Sequence, residues 1–228
     1  MSVGIKKLGV LVCNKGCNAN CSFCAGKQHR TQNSFDFNLL KSIVTDNKDT
    51  IEELSISGGG EPLLQPENIY RTLHTIREFK FKKIKLYTNG ILLKDSLELL
   101  KDWKNMGLTH LYVTVHNTDP KIAQTTLHSK ELPPTMEEIR KIGEDTNLLI
   151  RINIPLFKEG INTINKLCEM KETLYSSGFV DMSYWVIRMN DDTRDSDLKP
   201  VFNLDEPVYD NTKQTLFPNG ELRFDWCN

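Results

Sequence analysis

The sequence has no apolar run approaching the ~20 residues of a membrane span. Its N-terminal stretch, MSVGIKKLGVLVCNKGC, lacks the longer apolar core and the small-residue cleavage site of a signal peptide. Surplus charge is missing too. With 29 Lys and Arg against 30 Asp and Glu the net charge is -1, so nothing draws the whole chain to nucleic acid or acidic lipid. The basic cluster at Lys80, Lys82, Lys83 and Lys85 reads as a solvated helix-to-strand corner. No internal repeat and no low-complexity linker interrupts the chain. A cytoplasmic, reducing location is therefore the default. In that setting six cysteines argue for metal or redox chemistry in some and ordinary burial in others. At 228 residues the chain fits one domain with a sizeable core.

What the chain does have is alternation. Strands are expected at residues 7–12 (KLGVLV), 54–57, 83–88 (KIKLYT), 109–116 (THLYVTVH), 148–154 (LLIRINI) and 179–187. Helices are expected at 35–44, 66–79, 94–106, 119–127, 134–143 and 161–174, with Pro66 in a first turn and Gly107 past a last one. Strand followed by helix, repeated with short loops, implies parallel strands joined by right-handed crossovers. An open barrel and a doubly wound sheet both satisfy that pattern. Either way the chemistry belongs at the C-terminal ends of the strands. After Arg188 the pattern changes to a polar loop with Asp191, Asp192, Asp195 and Asp197, then a hairpin of 214–217 and 221–226 around Pro218-Asn219-Gly220.

The most informative stretch is CNKGCNANCSFC, residues 13–24. Cys17, Cys21 and Cys24 are separated by three and two residues, too crowded on one loop to pair as disulfides and well suited to a metal centre. Three thiolates can ligate three irons of a [4Fe–4S] cluster and leave the fourth iron open as a binding site. Gly16 allows tight turning beside the sulfurs, and Asn18 and Asn20 can satisfy loop backbone groups. The alternative is a structural zinc site with Cys13 or His29 as fourth ligand.

This cysteine spacing, with aromatic Phe23 before the last thiol, resembles the signature of the radical S-adenosylmethionine (radical SAM) superfamily. Ser57-Gly58-Gly59-Gly60-Glu61-Pro62, after the second strand, resembles that superfamily's glycine–glycine–glutamate motif. The resemblance covers residues 7 to about 188 and implies a partial (β/α)6, TIM-like barrel, with 1–188 as the core and 189–228 as a C-terminal extension that lids the barrel or contacts substrate. It further implies one [4Fe–4S] cluster on Cys17, Cys21 and Cys24, whose open iron holds S-adenosylmethionine. Reductive cleavage would give methionine and a 5′-deoxyadenosyl radical that takes a hydrogen atom from an organic substrate such as a peptide, sugar or nucleoside. An electron donor such as flavodoxin or ferredoxin would supply the electron.

By the same resemblance Gly58, Gly59 and Gly60 let backbone approach the methionine moiety, Glu61 or a nearby carbonyl accepts from its ammonium, and Phe23 lies near the adenine. Thr114 and His116, on one side of the fourth strand's end, are candidates for contact with its ribose or carboxylate. Arg151 and Asn153 share a face of an otherwise apolar strand, so a barrel would turn them toward cofactor or substrate in the lumen. Arg188 is a weaker candidate of the same kind.

Of the other thiols, Cys13 and Cys168 are expected to be buried. Cys227 lies in a segment (LFPNGELRFDWC) loosely similar to the start of cysteine-rich extensions that hold auxiliary clusters; a single thiol cannot hold one, but it could return a hydrogen atom to substrate. Two competing functions remain: an activase that makes a glycyl radical on a partner protein, and a zinc-stabilised binding module.

Overall fold

Four of the described α-helices start where a side chain caps them. In the computed structural model, which describes residues 5–31, 34–187, 198 and 213–223, Asp36 accepts from the backbone of Asn38 and Leu39 at the start of α1 (Phe37–Asp46). Thr135 and Glu138 form a reciprocal capping box on α5 (Met136–Thr146), and Thr163 caps α6 (Ile164–Ser176). Asp119 does the same for α4 (Pro120–Leu127). α2 (Pro66–Ile76) and α3 (Leu97–Asn105) begin without a side-chain cap; Pro66 opens the first, and a 3-10 turn at Lys94–Ser96 precedes the second. The caps explain why α1, α5 and α6 begin two or three residues later than their apolar spacing suggests. The capping oxygen, not the first apolar residue, sets the start.

The strands are β1 (Lys7–Leu11), β2 (Glu53–Ser57), β3 (Lys83–Thr88), β4 (His110–Thr114), β5 (Leu149–Leu156), β6 (Met182–Val186), β7 (Lys213–Leu216) and β8 (Leu222–Arg223). They form one sheet in the order β6-β5-β4-β3-β2-β1-β7-β8. From β1 to β6 every neighbour is parallel and the order never reverses. Right-handed crossovers then put all the helices on one face. A doubly wound sheet needs a reversal of order to cover both faces, so the fold is the open, partial TIM-like barrel.

The hairpin of β7 and β8 does not stand apart. β7 runs parallel to β1, pairing Lys7 with Lys213 and Gly9 with Thr215, and β8 returns antiparallel through a turn in which Gly220 takes φ +84°. Leu8, Val10, Leu54, Ile56, Leu86, Leu111, Ile152 and Ile154 face the helices and are all at most 1% exposed. The alternate residues form the inner face, which carries Ser55, Ser57, Tyr87, Thr114 and Asn153. This two-faced pattern is what an apolar strand with embedded polar residues predicts. No described helix is long and apolar enough to cross a membrane.

Candidate active site at the C-terminal rim

The loop after β1 and the turn after β2 are built as one unit. Gly60 N donates to Cys13 O (3.1 Å), Glu61 N to Gly16 O (2.9 Å), and Gly59 N to Asn14 Oδ1 (2.7 Å). Arg30 Nε donates to Gly59 O (3.0 Å) from the far side of the cysteine loop. The glycines are obligatory here for packing within the protein. A Cβ on Gly58 would lie 1.8 Å from Cys13 O, one on Gly60 1.7 Å from Gly16 O, and one on Gly59 2.7 Å from Gly26 O. Missing side chains were expected to admit a ligand. Their first role is to let two stretches of backbone touch, though Gly58 and Gly60 also face a cavity.

That cavity, about 320 Å³, opens at the C-terminal ends of the strands and is lined by Cys17, Cys21, Cys24, Gly58, Gly60, Glu61, Asn89, Thr114 and His116 among others. Its size is at the lower end of the ~300–1,000 Å³ of small-molecule sites. Burial, then Cys24 and Cys17, push Cys21 up to about 12; burial likewise raises Cys17. Thiols raised in this way resist ionising unless a cation binds them. Among the described residues no three His, Cys, Asp or Glu side chains converge on a single-ion site.

Glu61 is 2% exposed and lines the cavity. Oε1 accepts from Leu63 N (3.0 Å) and Thr88 Oγ1 (2.7 Å), and Oε2 from Asn89 N (2.8 Å). Both oxygens therefore tie the β2 turn to the end of β3. Burial raises its pKa, and these three donors oppose that shift. Asn89, just after β3, reaches back with Nδ2 to Asn18 Oδ1 (2.8 Å) and Cys17 Sγ (3.7 Å). It is a site residue that its Asn-Gly dipeptide could have signalled. Asn14 and Arg30 are the other rim residues that spacing did not single out.

His116 is 7% exposed, lines the cavity, and has no partner for Nδ1. Burial lowers its pKa to about 4, so it is neutral near pH 7. Phe23 packs 4.4 Å from Phe157 and 5.5 Å from His116, ring centre to ring centre, and supports the histidine instead of lining the cavity. Thr114 is on the cavity wall as expected. Arg151 and Asn153 are on the inner face but not on that wall. Arg151 Nε donates to Asp181 Oδ1 (2.7 Å) and its guanidinium lies 5.0 Å from the Tyr112 ring centre; Asn153 Oδ1 accepts from Ser183 Oγ (2.8 Å). Partners from β6 and the residue before it take up both side chains. Arg188 and Cys227 lie outside the described residues. Cys13 is fully buried, but Cys168 is exposed, because the buried stripe of α6 runs through Leu167, Met170 and Leu174.

The donor set fits the group expected there. Three soft sulfur ligands share a wall with a buried orphan nitrogen on His116, and Asn18 Nδ2 beside Cys17 is a second buried donor without a partner. Buried polar atoms of this kind are usually satisfied by a ligand or ordered water.

Known proteins are similar to this chain in sequence and in fold. The chain is 26% identical over 168 residues to a probable GTP 3′,8-cyclase of Methanocaldococcus jannaschii, covering 72% of this chain and 54% of that protein. It is 32% identical over 159 residues to a probable GTP 3′,8-cyclase of Methanococcus aeolicus, covering 67% and 51%. The chain thus spans about half the length of these relatives. Among solved structures, SuiB of Streptococcus suis, crystallised with its precursor peptide SuiA, superposes with a TM-score of 0.68 over 98% of this chain and 60% of its own, at 16% identity, which speaks to the fold alone. Residues 11–169 match the sequence profile of the Radical SAM superfamily, from the last residue of β1 into α6 and through every element of the cavity rim except β7; the chain belongs to that superfamily.

Proposed function

We propose that this protein is a radical SAM enzyme that removes a hydrogen atom from a small organic substrate held against the inner face of its open sheet. The superfamily uses a [4Fe–4S] cluster and S-adenosylmethionine. The observation that carries the reading is convergence: Cys17, Cys21, Cys24, Gly58, Gly60, Asn89, Thr114 and His116, from four strand ends, line one cavity.

Cys17, Cys21 and Cys24 would hold the cluster, and Asn89 would steady the Cys17 sulfur by donating to it from Nδ2. Together, cluster and S-adenosylmethionine supply one-electron cleavage of a carbon–sulfur bond and hence a strong hydrogen-atom abstractor. Backbone at Gly58 and Gly60 offers close approach to the aminoacyl end, and His116 and Thr114 offer polar contacts opposite. Phe23 and Phe157 keep that side apolar and exclude water from His116. A cytoplasmic setting with a flavodoxin- or ferredoxin-like donor suits this chemistry. Residues 1–188 act as the core, and the extension supplies one more wall of the cavity through β7.

The relatives named GTP 3′,8-cyclases make a nucleotide one substrate candidate, while the peptide complex of SuiB makes a peptide another. Anaerobic reconstitution tests the common step. We expect a brown protein with about four irons per chain that forms 5′-deoxyadenosine from S-adenosylmethionine on reduction. Cys21→Ala should lose both colour and product. A colourless protein with stoichiometric zinc and no 5′-deoxyadenosine would sink the proposal.

A further inference from the structure

The cysteine loop carries two sets of side chains, and only one lines the cavity. Cys17, Cys21 and Cys24 are on the cavity wall; Lys15, Lys27 and Arg30 are not. The loop is closed and pinned. Thr31 N donates to Asn14 O (3.2 Å) and joins its ends, Lys27 N donates to Cys24 O (3.4 Å), and Arg30 N to Lys27 O (3.3 Å). Arg30 Nε fastens the segment to Gly59 O (3.0 Å). Lys15 is two residues from Cys17 and Lys27 three from Cys24. At ~3.6 Å per residue at most, their Cα atoms lie within ~7 and ~11 Å of those of the cysteines.

Charge is spread unevenly along the chain. Five of the 29 basic side chains and none of the 30 acidic ones fall in residues 1–35. Lys6 and Lys7 lie at the other end of β1, so Lys15, Lys27 and Arg30 are the ones beside the thiols. Lys15 is exposed, and Lys27 and Arg30 are half-buried. Among the described residues none of the three pairs with a carboxylate. Glu61 is buried and held by three donors. Glu221, in the turn after Phe217 against which His29 packs, is taken by Arg223 (2.8 Å). The field of Arg30 reaches Cys17 and that of Lys27 reaches Cys21, where each favours the thiolate.

We infer that this side of the cysteine loop, away from the cavity wall, is the docking face for the electron donor, and that the donor is a one-electron carrier protein with an acidic surface around its redox group. The inference rests on the radical SAM reading. Lysines held this close to the sulfurs put a positive field where the partner's electron must arrive, and unlike charge steers encounter and fixes orientation. Because they stand off the cavity wall, the donor docks while the cavity keeps cofactor and substrate. An acidic flavodoxin is a suitable probe. Its anionic flavin hydroquinone gives up one electron and becomes the neutral semiquinone, the [4Fe–4S] cluster passes from the 2+ to the 1+ state, and no proton moves.

The test uses anaerobic, cluster-loaded protein with S-adenosylmethionine. Calorimetry measures the binding of oxidised flavodoxin, and stopped-flow flavin absorbance follows electron transfer from the reduced form. Lys15→Glu/Lys27→Glu should weaken binding and slow transfer about tenfold at low salt, and the difference should shrink as salt rises. Lys15→Arg/Lys27→Arg should stay within about twofold of wild type. Lys48→Glu/Lys80→Glu makes the same charge change at exposed sites before β2 and β3, at the opposite ends of the strands, and should leave both readings near wild type. Reduced methyl viologen needs no docking face and should yield 5′-deoxyadenosine in every variant at no less than the wild-type rate. Equal losses in the two charge-reversed pairs overturn the inference. So does wild-type binding and transfer in Lys15→Glu/Lys27→Glu, or a loss that methyl viologen shares, which would give the lysines to the cofactor site. Wild-type protein that forms no 5′-deoxyadenosine with either reductant sinks the radical reading, and the donor face with it.

Discussion

The rim of the site and the inner face of the sheet are made of different material. On the rim, backbone meets backbone: the cysteine loop and the glycine turn share hydrogen bonds from Gly59, Gly60 and Glu61, and a single added Cβ has nowhere to go. On the inner face, side chain meets side chain: Arg151 with Asp181, Lys85 with Glu53, Asn153 with Ser183. A backbone joint fixes position absolutely and tolerates no substitution. A side-chain joint can be exchanged for another of similar reach. The difference separates what a radical enzyme needs in common with its superfamily from what its own substrate requires.

The contrast can be broken most directly at Gly58. Gly58→Ala should destabilise the fold by at least ~3 kcal/mol, since backbone cannot rotate away as a side chain can. The cysteine loop would be displaced as well. Urea unfolding and iron content per chain read both effects, and a wild-type midpoint with full iron would show that the joint is soft.

His116, on the cavity wall near the end of β4, gives an intermediate effect. Burial holds its folded pKa near 4, below its ordinary 6.5. The stability owed to a neutral His116 is therefore complete above pH 6.5 and is lost progressively as pH falls toward 4, on the order of 3 kcal/mol in all. Unfolding free energies of wild type and His116→Gln, measured from pH 7 to pH 4, should converge as the pH drops. Parallel curves would mean that the histidine is solvated.

The smallest effect belongs to the inner face. Arg151→Gln should cost less than ~1 kcal/mol, because its pair with Asp181 is partly exposed. A loss comparable to that of Gly58→Ala would erase the distinction between rim and inner face.

The same distinction governs what could be read from the amino acids. Cys17, Cys21, Cys24 and the Gly58–Gly60 run were legible because a backbone joint demands particular residues at fixed spacing. The six strands were legible from apolar alternation, and the partial barrel from the family signature. Asn89 was missed because its partner, Cys17, is 72 residues away. Arg151 and Asn153 were rightly turned inward by alternation, but no local pattern announces that Asp181 and Ser183 will meet them 30 residues later. Cys168 was misjudged by one helical step. The hairpin was visible in Pro218-Asn219-Gly220, but its docking site was not, because an edge strand carries no address for its partner.

That docking has a consequence for how the chain assembles. β1 carries the cysteine loop, and its two neighbours are β2 and β7. The first is made soon after it, the second only after β3 to β6 have been made. Until then one side of β1 is an unpaired edge, and such edges invite pairing with other chains. Pairing with Lys213–Leu216 closes it and, in the same event, completes the cavity wall at Gly9 and Thr215. The strand that finishes the pocket is thus also the one that protects the nascent cluster-binding half from aggregation.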